Sequence, residues 1–245
     1  MPRHRTGLDG LRVAFVSDLH AGTTMAWSYL EDIVTRINGL EPHLVLLGGD
    51  FVTDDTRPID RLASVLSRLN ASLGVFAVRG NHDMCCLPQL HAAFEKVGMK
   101  LLVNQGQRIH FASESLWLCG VDDLWRGRPD VGRAIAGRDP GEFTLLLSHN
   151  PDIIGRIPPG DVDLLLAGHT HGGQIRILGR AIVSNSRYGT KYLEGWNWDG
   201  PCPIYVTRGI GAVRAALRIG APPEITLIEL QPGAEICPLS AEAAQ

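Results

Sequence analysis

Three times in its first third the chain drives an apolar stretch into a polar stop and then continues with apolar residues at helical spacing. Leu11 to Ser17 is β-prone and stops at Asp18-Leu19-His20. Between Met25 and Asn38 the apolar positions Tyr29, Leu30, Ile33, Val34 and Ile37 recur as on one side of a helix, closed by Gly39. Pro42-His43 leads into Leu44-Val45-Leu46-Leu47, a run without polar alternation, as in a strand covered on both faces, and it stops at Gly48-Gly49-Asp50. Pro58 opens a second helix through Leu62, Val65, Leu66 and Leu69, at a position where its missing N–H costs nothing. Leu73 to Val78 is the third strand, ending at Arg79-Gly80-Asn81-His82-Asp83. Consecutive β-α units of this kind require right-handed crossovers and parallel strands, so the chain is expected to be α/β, with functional groups at the carboxyl ends of its strands.

After a helix expected from Pro88 to Val97, the pattern changes to short strands at Lys100 to Val103, Gln107 to Phe111 and Ser115 to Cys119, which read as an antiparallel meander. Asp122 to Gly141, rich in Arg, Asp, Gly and Pro, reads as an exposed loop with one helical turn and a candidate flap over a substrate. Strand character returns at Phe143 to Leu147, which ends at Ser148-His149-Asn150-Pro151. A short helix around Ile153-Ile154 precedes the strand Val162 to Ala167, which ends at Gly168-His169-Thr170-His171-Gly172-Gly173. Short strands are expected at Gln174 to Ile177, Ala181 to Ser184, Ile204 to Thr207 and Glu224 to Leu230, with an irregular Gly- and Trp-containing stretch from Tyr188 to Gly200. Residues 1–245 read as a single domain with its core at about 11–231 and a frayed tail at 232–245.

Composition narrows the function classes. A formal net charge of -3 and a pI near 6.3, with no block of Lys and Arg, leave no electrostatic footprint for nucleic acid. The five cysteines are odd in number and include no Cys-x-x-Cys pair, which favours a reducing compartment over a disulfide framework. No apolar run approaches the roughly 20 residues of a membrane span, and the basic start Met1 to Arg5 leads straight into the first strand, not into a signal peptide. A cytoplasmic location is expected, with peripheral membrane association as the alternative.

The polar stops share one chemistry. Asp18, His20, Asp50, Asn81, His82, His149, His169 and His171 are oxygen and nitrogen donors, most of them placed directly after an apolar run. Each alone has an ordinary explanation, since Asp and Asn are common in turns and caps and a single His after a strand is usually structural. Jointly they suit borderline to hard divalent ions such as Mn, Fe or Zn, and the lack of a well-placed thiolate argues against a structural zinc site. The donors are too many for one ion. Two ions about 3.5 to 4 Å apart, sharing a carboxylate, would use them and form a clamp suited to phosphoryl chemistry. Gly172-Gly173 would then let the backbone pass close to the ions without a Cβ. Arg79 and Arg208 could meet phosphate or sit in ion pairs, and Trp196 and Trp198 could line a cleft or pack.

Asp18-x-His20, Gly49-Asp50, Gly80-Asn81-His82-Asp83, His149 and Gly168-His169-x-His171, in that order, resemble the signature of the calcineurin-like metallophosphoesterase superfamily. The resemblance implies a four-layer α/β/β/α fold, a β-sandwich of two mixed sheets flanked by helices. It implies one divalent ion, Mn first and Fe or Zn second, on Asp18, His20 and His171, and another on Asn81, His149 and His169, with Asp50 bridging. It implies that His82 contacts the phosphoryl group and protonates the leaving oxygen, and that a hydroxide held between the ions hydrolyses the ester; Asp83 reads equally as the partner that orients His82 or as the cap of its turn. Ser148-His149-Asn150-Pro151-Asp152, Thr207-Arg208-Gly209-Ile210-Gly211 and Pro222-Pro223-Glu224-Ile225 resemble the bacterial YkuE-like subgroup, which includes phosphodiesterases and UDP-diacylglucosamine hydrolases acting near the membrane. The expected partner is a small-molecule or lipid-linked phosphate ester, and the expected activity is that of a phosphodiesterase. A pyrophosphate hydrolase, a phosphomonoesterase or a non-catalytic scaffold stand as alternatives.

Overall fold

A computed structural model describes residues 6–22, 25–231 and 242–243. The chain alternates β1 (Arg12–Val16), α1 (Trp27–Gly39), β2 (Leu44–Leu47), α2 (Ile59–Leu66), β3 (Val75–Ala77), α3 (Leu87–Lys96) and β4 (Lys100–Leu101). It continues with β5 (Gln105–Phe111), β6 (Glu114–Gly120), α4 (Val131–Ile135), β7 (Phe143–Leu147) and β8 (Leu164–Ala167). The last part holds β9 (Arg176–Ile177), β10 (Arg180–Ala181), β11 (Gly195–Asn197), β12 (Ile204–Val206), β13 (Glu224–Glu229) and β14 (Glu242–Ala243). Two mixed six-stranded sheets result, ordered β14-β13-β1-β2-β3-β4 and β11-β12-β8-β7-β6-β5. In the first, β1 to β4 run parallel, and in the second β6, β7, β8 and β12 do.

The two-residue period of the strands sorts their side chains into layers. Ala14, Val16, Val45, Leu47 and Ala77 pack on Leu30, Ile33 and Ile37 of α1, Leu62 and Leu66 of α2 and Leu90 and Phe94 of α3. Their neighbours Val13, Phe15, Leu44, Leu46 and Phe76 face the other sheet, against Leu116, Leu118, Leu145, Leu147, Leu164 and Leu166. On that sheet's far side Leu146, Leu165 and Ala167 pack with Val131 and Ala134 of α4 and with Ile153 and Ile154. The apolar run of β2 is thus buried on both faces, and each such Leu or Val contributes about 1.5–3 kcal/mol. The layers are α/β/β/α, as the family resemblance implies, and refine the parallel-sheet reading.

Three expectations change. The antiparallel meander is only the β5–β6 hairpin, because α3 is a crossover that returns the chain to lay β4 parallel to β3 in the first sheet. The Tyr188 to Gly200 stretch contains a strand, β11, whose Trp196 stands opposite Tyr205 of β12 and stacks on Trp198. The loop after β6 begins buried, since Asp122 and Asp123 are almost inaccessible. Cys85, Cys86, Cys119 and Cys202 are free thiols. Met1 to Arg5, Cys237 and, apart from β14, the tail expected to fray lie outside the described residues. Among the described residues no helix is long and apolar enough to cross a membrane.

Candidate metal centre

The parallel strands of both sheets release their carboxyl ends at one rim. Asp18 and His20 follow β1, Asp50 follows β2, Asn81 follows β3, His149 follows β7, and His169 and His171 follow β8. None of the seven is more than 5% exposed. Asp18, His20 and His171 converge with ligand atoms within 4.8 Å of one another, and Asp50, His149 and His169 form a second such group. Asp50 Oδ2 lies 3.2 Å from His149 Nε2 and 3.7 Å from His20 Nε2, so one carboxylate oxygen serves both groups. The alternation along Gly168-His169-Thr170-His171 therefore sends its two imidazoles to different groups.

Buried nitrogens face each other across both groups. His20 Nε2 and His171 Nε2 are 3.2 Å apart, as are His149 Nε2 and His169 Nδ1 at 3.1 Å. Burial pushes His20 down to about 4, against the pull of Asp50, and His169 to about 3, helped by His149. Burial would also lower His149, but Asp50 outweighs it and lifts the ring to about 10. For Asp18 and Asp50 burial acts upward, yet His171 and His149 respectively hold both carboxyls well below the usual range. Imidazole nitrogens this close require a shared proton or a shared cation. Asn81 Oδ1 is buried with no hydrogen-bond partner, an orphaned acceptor on the same rim. His149 Nδ1 is 2.9 Å from the Gly48 carbonyl and His20 Nδ1 is 2.9 Å from Thr53 Oγ1, contacts that turn the other ring nitrogen inward. The donor set is consistent with a dinuclear metal site.

The backbone is bent to achieve this. Asp18, His20, Asp50, His169 and His171 all have φ between 47° and 71°, the left-handed region that costs an ordinary residue about 1–2 kcal/mol. Bonds between strand-end loops, within and across the sheets, hold the bends. His169 N–H donates to both Asp18 oxygens at 3.0–3.2 Å, Gly211 N–H to Asp18 O at 2.7 Å, and Asp18 N–H to Gly49 O at 2.9 Å. Gly168 is the glycine that the close approach needs, because a Cβ there would strike Ser17 Oγ and Asp18 Oδ2. Gly172 and Gly173, expected to pass beside the ions, instead lie against Arg208 Cγ and Ala181 Cβ.

His82 stands at the mouth, its side chain 23% exposed and its ring edge-on to His20 at 5.3 Å. Of the two roles open to Asp83, the structure shows the one in the turn and not the one beside the imidazole. The Asp83 carboxylate is fully buried and accepts the N–H groups of Asp50, Phe51, Val52 and Gly80 at 2.8–3.3 Å, so it ties the β2 and β3 loops together and does not meet the His82 ring. Burial, reinforced by Asp50, raises Asp83 to about 7. Asp54 takes the orienting place open to Asp83, with Oδ2 2.9 Å from His82 Nδ1 and Oδ1 accepting from Arg126 Nη1 at 3.1 Å.

Sequence reasoning passes over several residues at this rim. Asp54 is four residues beyond Asp50 in the same loop, a signal that was available. Trp125, 53% exposed, sets its ring edge-on to His169 at 4.2 Å, so the Asp122 to Gly141 loop does reach the site. Arg218 donates to the carbonyls of His171, Arg208 and Ala221, and burial lowers it to about 10. Nothing in its local sequence marks it. Arg79 is paired with Asp122 at 2.6 Å and Arg208 with Glu224 at 2.8 Å.

A family model described as calcineurin-like phosphoesterase matches residues 11–173. The metallophosphoesterase YkuE of Bacillus subtilis (strain 168) is 31% identical over 237 residues, 92% of this chain and 80% of its own length. Phosphodiesterase YaeI of Escherichia coli (strain K12) is 33% identical over 228 residues, covering 89% and 82%. A dimetal phosphatase from Danio rerio superposes with a TM-score of 0.51 at 12% identity, over 91% of this chain and 94% of that one, a likeness of fold.

Proposed function

Because the chain belongs to the calcineurin-like phosphoesterase family, we propose that it is a phosphodiesterase dependent on two divalent metal ions. The observation that carries this reading is the placement of Asp50 Oδ2 between two buried ligand groups, with His82 on the open side. Asp18, His20 and His171 would hold one ion, and Asn81, His149 and His169 the other, with Asp50 shared. Bound there, the ions supply Lewis-acid charge and lower the pKa of coordinated water towards neutrality. Mixed carboxylate, amide and imidazole donors suit Mn, with Fe or Zn next.

The chain's own groups supply the rest. His82 donates a proton to the oxygen that leaves with the ester's organic group, a contribution of about 10²- to 10⁴-fold. Asp54 fixes the ring's orientation through Nδ1, and Arg126 fixes Asp54. Trp125 walls the side of His169 and limits how water and substrate enter. A diester is favoured because the relative YaeI carries that activity in its name. The retention of all seven ligand positions argues against a scaffold without activity.

The test loads the protein with Mn and compares bis(p-nitrophenyl) phosphate, p-nitrophenyl phosphate and a UDP-linked diacylated sugar. Higher kcat/KM on the diester is expected. Preference for the monoester, or turnover of the pyrophosphate alone, would replace the reading with one of those activities.

A further inference from the structure

A patch of apolar surface begins a few residues beyond His171. Ile177, Leu178, Ile182, Val183, Leu217 and Ile219 are each 47–99% exposed. They are contiguous in structure. The β9–β10 hairpin carries Ile177 and Leu178, and Ile182 N–H donates to Ile175 O at 3.2 Å. Ile219 forms an isolated parallel bridge with Ile175, with Arg176 N–H donating to Ile219 O at 2.9 Å. Exposed apolar residues gathered in this way mark an interaction surface, where scattered ones would not.

The hairpin tip is the most informative point. Ile177 pairs with Arg180, so Leu178-Gly179 is a two-residue turn, and its φ angles of 50° and 78° are both left-handed. Such a turn favours Asn-Gly or Asp-Gly, and a leucine at its first position is strained. Leu178 is also 99% exposed, so no contact within the chain compensates for that strain. Folding therefore does not account for the residue.

The charge around the patch identifies its counterpart. Residues 174–220 contain seven Lys and Arg against two Asp and Glu, within a chain of net charge -3. Arg176, Arg208 and Arg218 are used internally, but Arg180, Arg187, Lys191 and Arg214 are exposed. An exposed apolar tip in a segment whose exposed charges are mainly cationic, on a chain otherwise acidic, matches the boundary of an anionic bilayer, where apolar side chains enter the acyl region and cations meet the headgroups. A groove of about 300 Å³ that shares Leu217 with the patch, and is lined by Met25, Tyr29, Ile210 and Pro223, continues the apolar surface.

We infer that the Ile177-Leu178 hairpin and the Leu217–Ile219 segment form a docking surface for an anionic lipid bilayer. Arg218 donates to both the His171 carbonyl and that of Ala221, so its side chain ties the docking segment to the metal rim. The protein would then work on esters presented at a membrane. The docking itself does not depend on which ester is cleaved.

The experiment is co-sedimentation of the full chain with vesicles of phosphatidylcholine alone and of phosphatidylcholine with about 30% phosphatidylglycerol. Binding to the anionic vesicles, reduced by salt, is expected. Leu178→Asn makes the turn Asn-Gly, so its melting temperature should match or exceed that of the parent while vesicle binding falls about tenfold or more. Arg180→Glu with Arg214→Glu should also weaken binding. Hydrolysis of a soluble diester should be unchanged in all of them, which separates failure of the docking inference from failure of the phosphodiesterase reading. Absence of binding to anionic vesicles, or equal binding by Leu178→Asn, overturns the inference. Concentration-dependent self-association that Leu178→Asn abolishes, without vesicle binding, would assign the patch to a second copy instead.

Discussion

At the scale of single residues, the site separates groups that hold ions from groups that act on substrate. His82 is 23% exposed where the ligand residues are sealed, and its ring is fixed by Asp54 and not by a ligand. His82→Ala is therefore expected to keep its full complement of bound metal and lose about 10²- to 10⁴-fold in kcat. Metal analysis beside turnover checks this, and full activity in the variant would remove His82 from the mechanism. Asp54→Asn should lower kcat less and leave KM nearly unchanged, because an amide oxygen can still accept from Nδ1. Gly168→Ala addresses the ligands themselves. Its added Cβ would press on Asp18 Oδ2 and Ser17 Oγ, so overpacking of about 1–3 kcal/mol falls on the Asp18 side of the site. The variant is expected to bind one ion of the two more weakly. Equal loss of both, or of neither, in a metal titration would contradict that geometry.

Between elements, the ties are made by carboxylates that reach across loops. Asp83 lies after β3, yet it accepts three N–H groups from the loop after β2. Removing it leaves buried donors without an acceptor, so Asp83→Ala should lose about 3 kcal/mol or more of stability, and Asp83→Asn less. Urea denaturation with an unchanged m-value is the check. Glu142 plays the same part at the start of β7, where it accepts from Arg108, Ser115 and the Asp139 N–H. Burial acts to raise it, but Arg108 and the other donors outweigh burial and hold its pKa below its ordinary 4.5. A carboxyl lowered in the folded state adds stability above its unfolded pKa and loses it as pH falls towards the folded value. Melting temperature should accordingly fall below about pH 4.5, and Glu142→Gln should flatten that acid limb.

The elements carrying these ties differ in how well the sequence announces them. β2 and β7 match their expected runs residue for residue, because burial on both faces leaves them apolar apart from Thr144. The seven ligand positions are readable for the same reason, each standing near where such a run must end. β4 and β11 are short and sit at or near sheet edges, and their pairing depends on α3 and on the Trp196–Tyr205 contact, which are long-range facts. Asp54 takes the orienting role that was open to Asp83 because both are aspartates near His82 in space, and sequence distance alone favours the wrong one.

For the molecule as a whole, the rim is where two sheets that share an apolar interface also share polar groups. Asp18, His20, Asp50 and Asn81 come from the first sheet, and His149, His169 and His171 from the second. Without ions, the facing imidazoles at 3.1–3.2 Å and the five left-handed residues work against closure there. Whatever binds the folded rim and not the open chain must stabilise the entire sandwich, by about 2.7 kcal/mol at a hundred times its dissociation constant. A shift of 1 kcal/mol moves the melting temperature of a chain this size by about 2–4 °C, so Mn at that excess should raise it by roughly 5–10 °C over the chelated protein. The same rise is expected in His82→Ala and a much smaller one in Asp50→Asn, since the Asp50 carboxylate lies beside ring nitrogens of both groups. If chelation leaves the parent unchanged, or if Asp50→Asn responds like the parent, the two halves of the rim are not joined through metal. The apolar interface between Leu44, Leu46, Leu164 and Leu166 would then hold the sandwich without it.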